Sequence, residues 1–440
     1  MKRIKISITV LVSLLLSMTL FAYGSLAADS GELSAKDHIY NTIAIDPLGL
    51  NGIPERNLED RTHINKALPV EQRGGLTIGY TAPFMGAPFF IQLDNRMKEL
   101  CEEYGYRLIT QNANVNIQNQ IAQVEAFITQ EVDAIIINAL DMPSIVAVAE
   151  KAVDAGIPVF LTSGRAGRPE YPSVLSLASN ASQSGFMVGY YTADKLFVPG
   201  EEVKAGMVII ELGASDSESR SAGFIAGWLY RSREMIGDPY PSQWEAIWDG
   251  FTAWKRIANE GRLDLSVEAG LNILALGQAH SPDAHGGQTA SADMITAYPD
   301  IKLVFCENDA MFFGVEVNLF QNNLEPGVDV FAACAADGTR DGMEAIQDGR
   351  VLAIGNNSSM MIAEGMINLI RMIFEQGYEA NNMPGVLFTP TDAITIENVD
   401  MYYDANLDLA KGIPYDFYTI DEYNARVSGG DDNPFPIPSL

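Results

Sequence analysis

Two series of apolar runs mark the chain, and in each series short strand-like runs alternate with longer helical patterns. Runs of apolar and β-branched residues predict strands, and apolar residues recurring three and four positions apart predict helices. The first series predicts strands at Leu76–Thr81, Arg107–Thr110, Ala134–Asn138, Pro158–Leu161 and Val174–Leu177. The second predicts strands at Met207–Leu212, Ile273–Leu276, Leu303–Cys306, Val330–Ala333 and Ala353–Ile354. The best-defined helical patterns are Gln118–Gln130, Ser144–Ala155 and Ala181–Leu196.

Strands that alternate with helices of this length form βαβ units around a parallel sheet. Ten predicted strands are more than one sheet of this kind holds comfortably. The pattern therefore predicts an α/β fold of two doubly wound parallel-sheet lobes, with a cleft between them.

The first strand opens into a turn rich in Gly and Pro, which an amphipathic helix follows. Ligands of open α/β sheets bind outside the carboxyl ends of the strands. Phe89 and Phe90, at the start of that helix, are therefore candidates for contact with a ligand. The alternative is that both rings are ordinary core residues.

Polar residues with planar hydrogen-bonding groups recur directly after the later strands. They are Ser163 and Arg165 after the fourth strand, Arg220 after the sixth, and then Glu307, Asn308, Asp309, Asp337 and Asn357. A ring of such donors and acceptors around an aromatic face suits a sugar, because each hydroxyl both donates and accepts while the C–H face packs on Phe. The alternative for Asp309, Asp337 and Ser358 is helix N-capping.

The segment 228–265 interrupts the alternation and contains all four tryptophans. Trp244, Ile247 and Trp248 fall on one stripe of a helix. We expect a helical hairpin whose aromatic residues pack on their own lobe. The alternatives are a Trp that reaches the cleft as a stacking wall, or a hairpin that forms a partner surface.

Residues 1–27 have the features of a cleaved secretory signal, with three basic residues, an apolar core and a small-residue cleavage site. An uncleaved membrane anchor is the alternative, but the apolar run is short for a membrane span. With no Cys near the cleavage site, we expect no lipid anchor there and a periplasmic protein. Residues 28–74 show no sustained period and are predicted to form an extended arm.

The formal net charge is −29, and removal of three basic residues with the signal takes it to −32. So acidic a chain repels phosphate backbones, which argues against nucleic acid and anionic membranes as partners. Cys101, Cys306 and Cys334 form no disulfide framework. Cys306 and Cys334 are expected to be buried thiols, although a bridge between them stays open.

In combination, several motifs resemble those of periplasmic sugar-binding proteins of the ribose/galactose type, whose fold is shared with lac-repressor-like regulators. The likeness runs from Leu76 to Tyr403 without the tryptophan segment. Its motifs are Pro88-Phe89-Phe90, Ile157-Pro158-Val159, Arg220-x-x-Gly223-Phe224, Tyr298-Pro299-Asp300, Asn308-Asp309, Asp337-Gly338-Thr339 and Thr395-Ile396-Glu397-Asn398-Val399.

The resemblance implies that Phe89 stacks on the sugar, while Arg220, Asn308, Asp337 and Asn357 bind its hydroxyls. It also implies an N-terminal lobe of residues 75–179 and 358–391, and a C-terminal lobe of residues 180–357 and 392–440. Three chain crossings would join the lobes and let them close around the ligand. Delivery to an ABC transporter permease would follow, with no cofactor, and we expect a monomer.

The chain also departs from the ribose-binding pattern. Ala87 stands where that pattern has Asn, and Ser163-Gly164-Arg165 stands where it has Asp-Arg, so that Arg165 substitutes only if the loop shifts by one residue. The second stacking aromatic, expected near Pro282, is missing, and His280, His285 or a Trp of segment 228–265 are its candidate replacements. Gly250-Phe251 is a second Gly-Phe pair, but without the Arg. These departures favour a sugar or polyol other than ribose.

Other classes of function fit less well. The chain has four His residues and lacks the nucleophile-elbow, phosphate-loop, dinucleotide and zinc-helix motifs, so catalysis is disfavoured. A metal site in the His280–His285 loop is less favoured than a polar cleft loop. A DNA-binding regulator is excluded by the predicted export signal, the acidic charge and the lack of a helix-turn-helix. A sensor subunit that presents a bound sugar or furanosyl signal to a chemoreceptor or histidine kinase stays open.

Overall fold

The computed structural model describes residues 67–68, 71–86, 88–162, 173–213, 215–378, 380, 386–389, 391–413 and 415. The predicted signal of residues 1–27 and most of the predicted arm of residues 28–74 lie outside this part of the chain. The last residues of the arm pack on the first lobe. Ala67 is buried there, and the backbone N–H of Arg73 donates to the carbonyl of Phe374 at 2.9 Å.

The N-terminal lobe is a six-stranded sheet with helices on both faces. Its strands lie in the order β12-β5-β4-β3-β1-β2, and every neighbouring pair is parallel. The strands are β1 Thr77–Ala82, β2 Arg107–Asn112, β3 Ala134–Ile137, β4 Val159–Thr162, β5 Leu175–Ser179 and β12 Val386–Thr389. The helices are α1 Pro88–Glu103, α2 Ile117–Thr129, α3 Met142–Asp154 and α11 Ser359–Phe374.

The C-terminal lobe contains a seven-stranded sheet in the order β13-β11-β10-β9-β6-β8-β7. Its strands are β6 Val203–Ile209, β7 Leu263–Leu265, β8 Leu271–Gln278, β9 Leu303–Cys306, β10 Phe331–Cys334, β11 Val351–Gly355 and β13 Ala393–Thr395. Its helices are α4 Ala181–Leu196, α5 Ser215–Met235, α6 Gln243–Glu260, α7 Ser266–Ala269, α8 Ala284–Ala297, α9 Asp309–Gln321, α10 Arg340–Gln347 and α12 Val399–Tyr402.

The predicted α/β fold of two doubly wound lobes is confirmed, with one refinement at the sheet edges. In the C-terminal sheet the two edge strands, β7 and β13, run antiparallel to their neighbours. These strands and β12 are short, and the pattern of apolar residues did not predict them. The sixth strand begins four residues earlier than predicted, at Val203, and ends at Ile209.

Both sheets are wound in the same way around their first strand. β1 lies between β2 and β3, and β6 lies between β8 and β9 with β7 beyond β8 at the edge, so that the strand order reverses beside β1 and beside β6. At such a switch point the connections leave in opposite directions, and a crevice opens at the carboxyl ends of the strands. Two crevices are therefore expected, between β1 and β3 and between β6 and β9.

The chain passes between the two sheets three times. It leaves β5 for α4, leaves β11 for α11, and leaves β12 for β13. The crossings are hydrogen-bonded to one another. The backbone N–H of Asn180 donates to Thr391 Oγ1 at 3.1 Å, and the N–H of Asn356 donates to the carbonyl of Asp392 at 2.8 Å.

The tryptophan segment is part of the core of the C-terminal lobe. Trp228 and Trp254 are fully buried, Trp244 is buried, and Trp248 packs against the same cluster. The indole N–H of Trp228 donates to the carbonyl of Ala269 at 2.8 Å. The expected packing of the aromatic residues on their own lobe is therefore observed, because α5 and α6 cover one face of the second sheet.

Helices α4 and α5 pack at very short range through glycines. A Cβ atom at Gly185 would lie 2.1 Å from the carbonyl oxygen of Arg220, and one at Gly223 would lie 2.3 Å from that of Ser182. Such distances are far inside van der Waals contact, so larger residues would push the helices apart. This packing fixes the position of the turn of α5 that carries Arg220.

Cys306 and Cys334 are register partners on the neighbouring strands β9 and β10, yet both are free thiols, as is Cys101. All three are buried. Burial and the Cys306 thiol raise the pKa of Cys334 well above its ordinary value. Among the helices that the structure describes, none is both long and apolar enough to cross a bilayer.

Candidate functional site

The candidate site lies where β6 and β9 end, at the switch point of the C-terminal sheet. Glu307, Asn308 and Asp309 follow β9 directly, and α5, which follows β6, contributes Arg220. The loop after β10 contributes Asp337. Because these strands are parallel, their carboxyl ends meet at one edge of the sheet, and the chain segments that follow them lie together.

Arg220 is a buried cation held by a buried acid. The residue is 8% exposed, and its Nη1 atom lies 3.4 Å from Oε1 of the fully buried Glu307. Burial alone would lower the pKa of Arg220, but the carboxylates of Asp216, Glu307, Asp337 and Asp309 outweigh it and hold that pKa above its usual value. Arg220 is therefore charged.

Among the described residues, the Nε–H of Arg220 has no hydrogen-bond partner, although the atom is buried. An unpaired buried donor is costly, and Arg side chains present their donors in a rigid planar fork. In the described part of the chain, the Nε edge of this guanidinium is therefore buried without an acceptor.

Asp309 organises the loop that carries Asp337. Its Oδ2 atom accepts from the backbone N–H of Thr339 at 2.6 Å and from Thr339 Oγ1 at 2.9 Å, and its Oδ1 accepts from the N–H of Asp337 at 3.3 Å. Burial and the neighbouring Asp337 charge raise the pKa of Asp309 to about 7, although these hydrogen bonds lower it. The Asp309 carboxyl thus holds the backbone of Asp337 in position.

The structure corrects the capping alternatives. Asp309 is the first residue of α9, and the cap of that helix is Asn308, whose Oδ1 accepts from the N–H of Met311 at 3.0 Å. Likewise Thr339 caps α10, so Asp337 is not a cap. Ser358 caps α11 as the alternative reading had it. Asp309 and Asp337 are thus not N-caps, although both stand near the start of helices in the sequence.

The side chain of Asn308 makes two hydrogen bonds within the protein. Besides its cap bond, its Nδ2 donates to the carbonyl of Pro282 at 3.2 Å. A primary amide has two N–H groups and two lone pairs on its oxygen. Within the described residues, one N–H and one oxygen lone pair of Asn308 therefore have no protein partner.

Asn357 connects the site to the crossings between the lobes. Its Nδ2 donates to Oδ1 of Asp337 at 2.9 Å, and its Oδ1 accepts from the hydroxyl of Ser179 at the end of β5. Directly or through Glu307 and Asp309, the contacts thus place four of the predicted site residues in one cluster: Arg220, Asn308, Asp337 and Asn357.

Phe89 and Phe90 lie in the N-terminal lobe, on the first turn of α1 after β1. Their rings form an edge-to-face pair with centroids 5.3 Å apart. Both are half-buried, and Phe89 packs against the core of its lobe. One ring is thus supported from behind, as a stacking platform requires.

Ser163 and Arg165, two further predicted site residues, and Ala87 lie outside the described residues. Glu307 and Asp309 belong to the predicted ring of strand-end polar residues but not to the ligand contacts that the resemblance implies, and the structure places them in direct contact with Arg220 and with the Asp337 loop. The signal for them was present, since two acids flank Asn308 at a strand end, but residue type alone did not separate ligand contacts from their supports.

His280 lies in the loop between β8 and α8, His285 lies in the first turn of α8, and both are exposed. Asp283 caps α8, accepting from the N–H of Gly286 at 2.9 Å. In the part of the chain that the structure describes, no group of three or more His, Cys, Asp or Glu residues is arranged to hold a metal ion. The tryptophans that were candidate replacements for a second stacking ring are occupied in the core.

Comparisons with known proteins agree with this architecture. The chain is 24% identical over 277 residues to the ribose import binding protein RbsB of Bacillus subtilis, an alignment that covers 63% of this chain and 74% of that one. Among solved structures, a Mycobacterium smegmatis protein in complex with β-D-fucofuranose matches with a TM-score of 0.57 at 22% identity, over 74% of this chain and 93% of that one.

An ABC transporter solute-binding protein from Bacillus halodurans with bound myo-inositol matches with a TM-score of 0.56 at 23% identity, over 75% of this chain and 97% of that one. At this identity, both structures establish the fold. In addition, the family model of the periplasmic binding protein domain matches residues 78–377, more than half of the sequence. The chain therefore belongs to the periplasmic binding protein family.

Proposed function

We propose that this protein is an extracytoplasmic solute-binding protein that captures a monosaccharide-like ligand in the cleft and delivers it to an ABC transporter permease. The observation that carries the proposal is the buried Arg220, whose Nε–H lacks a partner among the described residues while Glu307 holds its other edge. The relatives support the choice of ligand class, because they include proteins named for ribose import and structures with bound fucofuranose and myo-inositol.

The residue types match the chemistry of a polyhydroxylated ligand. Arg220 offers donors, and the Asp337 carboxylate offers acceptors for adjacent hydroxyls. In the proposal Phe89 stacks on the C–H face of the ring, with Phe90 at its edge. Asn308 and Asn357 supply amides, and Ser163 and Arg165, which follow β4 in the sequence, complete the site. Because Ala87 replaces the Asn of the ribose-binding pattern, we propose a sugar or polyol other than ribose.

The crossings provide a route from ligand binding to lobe closure. Asn357 joins Asp337 of the C-terminal lobe to Ser179 at the end of an N-terminal strand. A ligand that contacts both lobes binds the closed form better than the open one, and so shifts the equilibrium towards closure. The permease would then recognise the closed form of a monomer released into the periplasm by cleavage after residue 27.

The test is a thermal-shift screen of the purified chain against D-ribose, L-arabinose, D-galactose, D-allose and myo-inositol, followed by calorimetry. Amino acids serve as the negative set. We expect one saccharide or polyol to raise the melting temperature at millimolar concentration and to bind with a defined stoichiometry. Binding of an amino acid, with no response to any saccharide or polyol, would overturn the proposal.

The proposal includes no catalytic role. The bound sugar recovered from the complex should be chemically unchanged, which chromatography of the released ligand checks. The alternative output, signalling through a chemoreceptor or histidine kinase, uses the same closure. Neighbouring genes for a permease and an ATPase, as opposed to a kinase, would separate the two outputs.

A further inference from the structure

Glu307 is an acid that no solvent reaches, at the junction of three structural elements. Its Oε2 atom accepts from the backbone N–H of Ile210 at 2.7 Å and from Ser217 Oγ at 2.5 Å. Its Oε1 atom faces Nη1 of Arg220. A carboxylate withdrawn from water is costly unless it is paired and hydrogen-bonded, and Glu307 meets both conditions.

These contacts constrain the direction of the Arg220 side chain. The guanidinium is planar, so holding Nη1 against Glu307 also restricts where the Nε edge points. The other anchors of Glu307, Ile210 and Ser217, lie after β6 and in the first turn of α5. The carboxylate therefore has little freedom to follow Arg220 if the arginine turns.

The charge balance of this cluster also depends on Glu307. Burial raises the pKa of Glu307, and Arg220, the Ile210 N–H and the Ser217 hydroxyl counteract that rise. In turn the Glu307 carboxylate is one of the charges that keep the buried Arg220 protonated. Each group stabilises the charged form of the other.

We propose that Glu307 is a positioning residue that aims the Nε edge of Arg220 at the bound sugar, so that affinity depends on a carboxylate that the sugar does not touch. The inference rests on the proposed function only for the identity of the ligand. The orientation of Arg220 is a property of the unliganded protein and is testable without any ligand.

The ligand-dependent test measures the affinity of Glu307→Gln for D-galactose, D-allose and myo-inositol by calorimetry. Glutamine keeps the size of the side chain and removes its charge. We expect the affinity for whichever of these probes the parent protein binds to fall by about 10- to 100-fold, the loss typical of a charged hydrogen bond. The control is Glu316→Gln, which removes the carboxylate paired with Arg350 at 2.7 Å and should change affinity less than twofold.

A double-mutant cycle with Arg220→Met separates positioning from a general structural role. If Glu307 acts through Arg220, Glu307→Gln causes no further loss of affinity once Arg220 is absent. An equal loss in both backgrounds would overturn the proposal. Should Glu307→Gln fail to fold, Glu307→Asp keeps the charge but shortens the reach, and parent affinity in that variant would also overturn it.

The ligand-independent test follows the Nε–H resonance of Arg220 by NMR, assigned by its loss in Arg220→Lys. In the parent protein we expect a single resonance protected from solvent exchange. Glu307→Gln should broaden it or speed its exchange at least tenfold, whereas Glu316→Gln should leave it unchanged. If none of these three probes binds the parent protein, the saccharide or polyol that responds in the thermal-shift screen replaces them, and if none responds there either, the proposed function loses its support. This resonance then decides the positioning role alone, and an unchanged signal in Glu307→Gln would refute it.

Discussion

The two lobes are wound alike, but they present different chemistry at their switch points. The C-terminal lobe presents buried charges, Arg220, Glu307 and Asp309, each held by other protein groups. The N-terminal lobe presents two half-buried aromatic rings, Phe89 and Phe90, after β1. Strand order thus determines where the switch points lie, and the residues that follow each strand determine which chemical groups are placed there.

The difference has an energetic consequence. A buried charge depends on its partners, because removing one leaves the other unpaired in a medium of low dielectric constant. An aromatic ring that packs partly against a core contributes mainly through contact area. Substitutions in the charged cluster should therefore affect both binding and folding strongly, and those of the aromatic pair should affect both to a smaller extent.

The strongest test of this contrast is Arg220→Met. It leaves Glu307 buried without its cation, and we expect the free energy of unfolding to fall by about 3–5 kcal/mol and binding to weaken while staying measurable. Denaturant unfolding and calorimetry measure the two effects. Arg350→Met, which removes a cation from a partly exposed ion pair, is the control and should change stability by about 1 kcal/mol or less. Equal effects of the two substitutions would contradict the expectation that the buried ion pair matters more for stability than the partly exposed one.

Next in size is Asp337→Ala, which removes an acceptor without breaking the buried ion pair. Binding of the true ligand should weaken by about 2–4 kcal/mol, because its hydroxyls lose a charged acceptor. Calorimetry checks the loss against Asp300→Ala, a substitution in an exposed ion pair with Lys204. Unchanged affinity in Asp337→Ala would remove this residue from the site.

The buried acids should also make stability depend on pH. The pKa of Asp309 is about 7, above its value of 3.8 in an unfolded chain, so the folded state binds more protons between these values. Stability therefore decreases as pH rises from about 4 to 7. Asp309→Asn should reduce that slope by up to about 1.4 kcal/mol per pH unit.

Chemical denaturation at a series of pH values measures this slope. Glu307 also has a raised pKa and stays in the variant, so the slope should become shallower without vanishing. A control without the same burial is Asp348→Asn, at the exposed carboxylate beside Arg350. A slope identical in Asp309→Asn and the parent protein would contradict the assigned pKa.

The smallest expected effect belongs to the aromatic pair. Phe89→Ala should weaken sugar binding by roughly 1 kcal/mol through loss of stacking. Phe320→Ala removes an exposed ring at the end of α9 and should leave binding unchanged. A loss in Phe89→Ala as large as that in Asp337→Ala would erase the difference between the two lobes, and no loss would transfer the stacking role to Phe90.

Much of the architecture follows from local patterns. The helix Ala181–Leu196 and the strand Leu303–Cys306 have the predicted bounds, because apolar periodicity is strong there. The edge strands β7, β12 and β13 were missed. They are three or four residues long, and pairing with a neighbouring strand stabilises them more than their own sequence does. For segment 228–265 the sequence predicted helices with an aromatic stripe, and the fold placed that stripe in a core.

The candidate site shows the same division between what local sequence patterns predict and what the tertiary structure decides. The sequence by itself determined which side chains follow the strands, because strand and helix patterns are local, and it thereby made Arg220, Asn308, Asp337 and Asn357 candidates for the site. Only the tertiary structure decided which of those groups are held in place by other side chains. Glu307 reaches Arg220 across 87 positions of chain, and Asp309 reaches Thr339 across 30. Contacts so distant in sequence arise when parallel strands bring their ends to one edge, and burial there gives an acid the role of support.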